Sequence, residues 1–141
     1  MATLSEILKT MILNPIDFTK DSYLAYKRLN DLHETGKRLV NKYGSGAGNG
    51  IDNYYHSLLH CELGQKGHKK ISEVLGDLRE AYDYNKKVYL KGMPEEVIKD
   101  SIKDLTNNEK GYILGAENPS ADCRFLLDDK RTRRMKDEGI W

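Results

Sequence analysis

Between Ile51 and Leu63, the residues Ile51, Tyr54, Tyr55, Leu58, Leu59, Cys61 and Leu63 spread over more than half the circumference of a helix. A helix can bury so wide an apolar arc only when other helices enclose it. The stretch therefore predicts a central helix, about Ile51 to Gly64, inside an all-α domain.

The flanking segments read as the helices that enclose it. Thr3-x-x-Glu6 has the form of a capping box ahead of Leu4, Ile7, Leu8, Met11 and Ile12, a short amphipathic helix that Asn14-Pro15 should end. A longer helix is expected from about Asp21 to Tyr43, with Ala25, Leu29, Leu32, Leu39 and Tyr43 on one stripe and Gly36 as its weak point. Residues 44–50, Gly-Ser-Gly-Ala-Gly-Asn-Gly, form a flexible link, because glycine loses the most backbone freedom on ordering. The segment is not a phosphate-cradling loop, since the closing Lys and Ser/Thr are missing and no strand precedes it.

After Gln65-Lys66-Gly67 a fourth helix carries Ile71, Val74, Leu75, Leu78 and Tyr82 on one face and Glu73, Asp77, Glu80 and Tyr84 on another. Lys91-Gly92-Met93-Pro94 breaks the pattern, and Pro94 with Glu95 and Glu96 suits the first turn of a fifth helix. That helix repeats the two-stripe design, with Ile98, Ile102, Leu105 and Tyr112 opposite Asp100, Asp104, Asn107, Asn108 and Gly111. Asn118-Pro119-Ser120 marks a turn and an N-cap for a short helix holding Cys123, Phe125, Leu126 and Leu127. The expectation is a four-helix bundle with short accessory helices at both ends, one domain over residues 1–141. Residues 1–20 form the N-terminal accessory and residues 128–141 a basic, solvated tail.

Composition excludes several function classes. Charged residues make up 32% of the chain but balance to a net +1, so no global field recruits nucleic acid or an anionic membrane. No stretch approaches the length of a transmembrane helix, and the apolar N-terminal run has neither a basic flank nor a cleavage site. A soluble chain is expected, cytoplasmic or exported without a classical signal peptide. Cys61 and Cys123 lack the spacing of a zinc ribbon or redox pair, and two buried free thiols are the expected state, although one bridge between distant segments is the alternative.

The polar residues that could do chemistry fall on the three central helices. His56 and His60 stand four apart, as two zinc ligands would, with Glu80 or Asp77 as a third, but Ser57 occupies the position where the zincin pattern needs a glutamate base. No metal or other cofactor is expected. As a catalytic set, His56 would serve as acid/base and Glu80 or Asp77 would orient it, with Asp104 and Asn108 completing a pocket. The competing reading joins the same groups to one another structurally or leaves them facing water.

At these residues the chain resembles a known family. Asp52-Asn-Tyr-Tyr-His56, Gly67, Asp77-Leu-Arg79-Glu80, and Asp100-Ser101-Ile-Lys-Asp104 with Asn108-Glu109 and Gly111 follow the order and intervals of the serum amyloid A family, including bacterial domains at the ends of secreted polymorphic toxins. The resemblance, from about Tyr23 to Gly111, implies a four-helix bundle. It also implies lipid, retinoid or lipoprotein-surface binding on the vertebrate side and toxin-associated roles on the bacterial side. It groups Asp52, Asp77, Arg79, Asn107 and Asn108 with His56, Glu80 and Asp104 as one cluster.

Two functions follow as expectations. One is a binding module, in one form a secreted bacterial effector, that engages a lipid, an apolar ligand or a partner protein. The other is a small hydrolase-like toxin domain, with an immunity protein as partner, using His56, Glu80 and Asp104.

Overall fold

The structure, a computed structural model, describes the backbone of residues 3–91 and 94–141, and their side chains except at 81, 82, 84–91, 94, 96–98 and 101. Among the described residues there are seven α-helices and no strand: α1 (Leu4–Leu13), α2 (Pro15–Tyr43), α3 (Ile51–Lys66), α4 (Lys69–Lys91), α5 (Pro94–Glu117), α6 (Cys123–Leu126) and α7 (Arg133–Asp137), with a 3-10 turn at Asp128–Lys130. The four long helices α2 to α5 form the expected bundle, and α1, α6 and α7 are its accessories. The faces assigned to Tyr82, Tyr84 and Ile98, and the break at Gly92-Met93, lie outside the described residues.

Local chemistry accounts for most helix ends. The Thr3 hydroxyl accepts from the Glu6 amide and the Glu6 carboxylate accepts from the Thr3 amide, the reciprocal pair that satisfies two orphan donors of α1. Asn14 closes α1 and at once caps α2, which starts at Pro15 rather than near Asp21. Proline has no amide to leave unsatisfied in a first turn, and its φ is already helical, so Asn14-Pro15 ends one helix and begins the next. Residues 44–50 form successive turns, with Gly44, Gly46 and Gly50 at φ of 91°, 90° and 83°, where glycine has no steric penalty.

The central position expected for α3 is what the structure shows. Tyr54, Cys61 and Leu63 are fully buried, and Ile51, Tyr55 and Leu58 nearly so. Antiparallel α2 is joined to it by paired contacts: the Arg28 guanidinium grips both oxygens of Glu62 at 2.6 and 2.7 Å, and the hydroxyls of Thr35 and Tyr55 share a buried hydrogen bond of 2.7 Å. Farther along, the fully buried Asp21 carboxylate accepts from Lys66 at 3.1 Å and lies 2.6 Å from His68 Nδ1. Those contacts tie the start of α2 to the α3–α4 turn.

Helices α3 and α5 run parallel and in register, Asn53 opposite Asn107, Ser57 opposite Gly111, and Cys61 opposite Gly115. Their backbones touch. A Cβ on Gly115 would overlap the Cys61 carbonyl, one on Gly64 would overlap the Tyr112 carbonyl, and one on Gly111 would come within 2.9 Å of the Ser57 carbonyl. No side chain larger than hydrogen fits at any of the three.

Three expectations need correction. Cys61 and Cys123 are not free thiols but a disulfide, with Cα atoms 6.0 Å apart, because the α5–α6 connection returns the chain to the middle of α3. The N-cap of α6 is Asp122, whose side chain accepts from the Arg124 amide, rather than a residue of Asn118-Pro119-Ser120. The basic tail is not solvated throughout: Met135 is fully buried, the Arg131 guanidinium stacks 3.8 Å from the Trp141 ring centre, and that of Arg134 lies 4.0 Å above Tyr43. Arginine planes stack on aromatic faces, and the Arg131 charge is matched by Asp128 at 2.8 Å, so a basic run can pack where periodicity alone shows only polarity.

The helix contact generates the first prediction. Gly115→Ala should lower stability by about 2–3 kcal/mol or prevent folding, since the added methyl overpacks a backbone that cannot yield. Urea unfolding of the variant checks this, and a loss below half a kcal/mol would be incompatible with the contact. The disulfide generates the second: Cys61→Ala/Cys123→Ala should lose about 4 kcal/mol in the chain-entropy limit for a closure spanning 62 positions, measured by the same method without reductant.

Candidate functional site

Asp77 and Glu80 of the polar stripe of α4, and Asn108 of that of α5, turn inward beside Ile71 and Val74 of the α4 apolar face, while Glu73 stays exposed. Glu80 is 1% exposed, Asp77 9% and Asn108 7%, whereas Leu78 and Ile102, assigned to the apolar faces, are 43% and 60% exposed. The reason is the close α3–α5 approach. Gly111 must face α3, and Asn108 and Asn107, one turn earlier, are carried to the same side.

The inward groups gather at two levels along α3. At the first, His56 is half-buried on a helix turn that also carries Asp52. Burial, followed by the Arg79 cation, lowers its pKa, while Asp52, Asp104 and Asp83 pull it up. Arg79 is itself held by Asp83 at 3.0 Å, and Asn107 donates to Asn53 at 3.4 Å. The cavity beside His56 and Arg79 is only about 30 Å³, room for a water molecule or two.

At the second level His60 is 3% exposed, and its Nδ1 lies 2.8 Å from the Ser72 hydroxyl of α4. Burial pushes its pKa down to about 4, with a smaller contribution from His56, so the ring is neutral at physiological pH. Above it opens a cleft of about 420 Å³ between α4 and α5, with Ser72, Gly76 and Asp77 on one side and Leu105, Asn108 and Tyr112 on the other. This volume lies within the range of small-molecule pockets.

The residues of the expected cluster thus lie at these two levels, one helix turn apart on α3. His56 has Asp52, Asp104 and Arg79 as electrostatic neighbours, while Asp77 and Asn108 line the cleft over His60. Glu80 lies buried on α4 one turn beyond Gly76, and Asp104 is half-buried on α5. No protein-family model matches the chain, and no curated protein or solved structure matches it either.

Of the two histidines, sequence reasoning set His56 at the centre, whereas His60 is the one that reaches the larger cleft. The available signal was Gly76. A glycine inside a helix leaves space above a neighbour, and a Cβ there would sit 3.1 Å from Asn108 Nδ2 and 3.4 Å from His60 Cε1. Among the described residues no group of three His, Cys, Asp or Glu side chains is placed to hold a metal ion.

The buried neutral ring makes stability depend on pH. His60 binds its proton in the unfolded chain near 6.5 and in the folded chain near 4, so between these values the unfolded state holds more protons. Its contribution is complete above about pH 6.5 and is lost as pH falls toward 4. Between about pH 7 and about pH 4.5 the native chain should lose about 2–3 kcal/mol more than His60→Gln, which removes the titration. Urea midpoints at the two pH values measure the difference. Equal losses would mean that the ring is solvated.

Proposed function

We propose that the protein is a binding module of serum amyloid A-like design that engages lipid through its N-terminal helix. One observation carries this reading: the apolar residues of α1 and the start of α2 are turned outward. Leu4, Ile12, Leu13 and Ile16 are each at least 70% exposed, with Leu8 and Met11 at 48% and 43% beside them. A contiguous apolar surface of this kind marks an interaction site, and an amphipathic helix with its apolar face free suits the boundary of a lipid layer. No helix among the described residues is long and apolar enough to cross a membrane, so contact would be peripheral. The disulfide supports work in an oxidising compartment, in line with the secreted-effector form of the reading.

A second reading, a small hydrolase-like toxin domain, has support in His56, whose pKa burial lowers, with Asp52 and Asp104 as electrostatic neighbours. A histidine whose pKa is lowered, set near carboxylates, is suited to act as a general base. Against it stands the size of the cavity that the described residues form beside His56, about 30 Å³.

Flotation with phosphatidylcholine vesicles tests the first reading. The native chain should float with the lipid, and Leu8→Asp/Ile12→Asp should stay at the bottom by at least tenfold, with unchanged circular dichroism. With a net charge of only +1, binding should change little when anionic lipid or salt is added. Absence of flotation, or equal flotation of both proteins, would remove lipid as the partner. Host growth arrest on periplasmic expression that His56→Ala abolishes would instead favour the toxin.

A further inference from the structure

The cleft over His60 is built in a way that the lipid-binding reading does not use. Its floor holds two polar side chains with capacity to spare. Asn108 is more than nine-tenths buried and faces the cleft, and among the described residues its carboxamide makes no hydrogen bond. The His60 ring uses Nδ1 toward Ser72, which leaves Nε2 on the side of Gly76 and the cleft. A buried amide ordinarily finds partners, and one that faces an open cavity is positioned to find them in a ligand.

Gly76 keeps the space above these groups clear, since a Cβ there would crowd both Asn108 Nδ2 at 3.1 Å and His60 Nε2 at 3.7 Å. The walls state what kind of molecule fits. Leu105 and Tyr112 supply an apolar and aromatic flank. Among the described residues around the mouth, the carboxylates of Glu6, Glu73 and Glu109 outnumber the ammonium groups of Lys69 and Lys70. Lys70 is shared between Glu6 at 3.6 Å and Glu73 at 3.8 Å, so one ammonium group faces two carboxylates there.

We infer that this cleft binds a small organic cation, an ammonium or amidinium group carried on an apolar body. The cationic head would sit within reach of the acidic rim, and the body would lie over the cleft floor along Leu105 and Tyr112. An aromatic face beside the head adds cation–π attraction. The neutral imidazole at the floor does not repel the charge, and an anionic ligand would meet the carboxylates unfavourably.

The test uses the full chain, labelled with nitrogen-15, and phenethylammonium as the probe, with phenylpropionate as a counterpart of similar shape and opposite charge. In the millimolar range, phenethylammonium should give saturable shifts of the Gly76 amide and the Asn108 side-chain amide, and phenylpropionate should give none. Gly76→Ala should abolish the response by filling the space above the floor. Should that variant fold poorly, Glu109→Lys, at an exposed rim position, should still fold and bind the cation about fivefold more weakly. No saturable shift, an equal response to phenylpropionate, or undiminished binding by a folded Gly76→Ala or Glu109→Lys protein would each overturn the assignment. Because Leu8→Asp/Ile12→Asp leaves the cleft floor untouched, this result and the vesicle result succeed or fail separately.

Discussion

The bundle depends on one contact, the approach of α3 and α5 to backbone distance. Gly64, Gly111 and Gly115 meet the carbonyls of Tyr112, Ser57 and Cys61, and at each of these points a β-carbon would collide. Two helices so close lose little surface to voids and gain many dispersion contacts, each weak but collectively large. Glycine inside a helix costs about 1 kcal/mol relative to alanine through backbone entropy. Three such residues are retained here because packing offsets that cost. The parallel direction of the two helices follows from α4, which runs back between them from the end of α3 to the start of α5.

That contact also decides where the polar groups go. With Gly111 pressed on Ser57, Asn108 is held over His60 and Asn107 opposite Asn53. Polar groups in such positions are costly unless matched, and several are: His60 with Ser72, Arg79 with Asp83, Arg28 with Glu62 and Asp21 with His68. The two histidines, one turn apart on α3, have different surroundings. His56 lies among opposing charges, whereas His60 is lowered chiefly by burial and opens on a cavity.

The C-terminal segment depends on the same helix. Cys61 presents its carbonyl to Gly115 and its sulfur to Cys123, so one residue carries both the closest helix contact and the covalent tie. From that tie the chain runs through Leu127 and Met135, both buried, to Glu138, which pairs with Lys42 at 2.7 Å. The exposed apolar surface of α1 lies at the other end of the chain and takes no part in this closure.

The sequence alone determined the helical class, the central place of α3 and the main breaks, because periodicity and the chemistry of Thr3, Pro15, Gly44–Gly50 and Gly67 act over one or two turns. It also singled out the residues of the polar cluster, since their types and intervals are visible in the chain. Only the tertiary structure decided how α4 and α5 are rotated, and a helix with two stripes gives no local sign of which one faces inward. That rotation, set by glycine contacts across helices, buried Glu80 and Asn108, exposed Leu78 and Ile102, and gave the larger cleft to His60 instead of His56. The pairing of Cys61 with Cys123, 62 positions apart, was open for the same reason. Local spacing records which groups a helix carries, but their neighbours are set by interactions between helices, which no single segment contains.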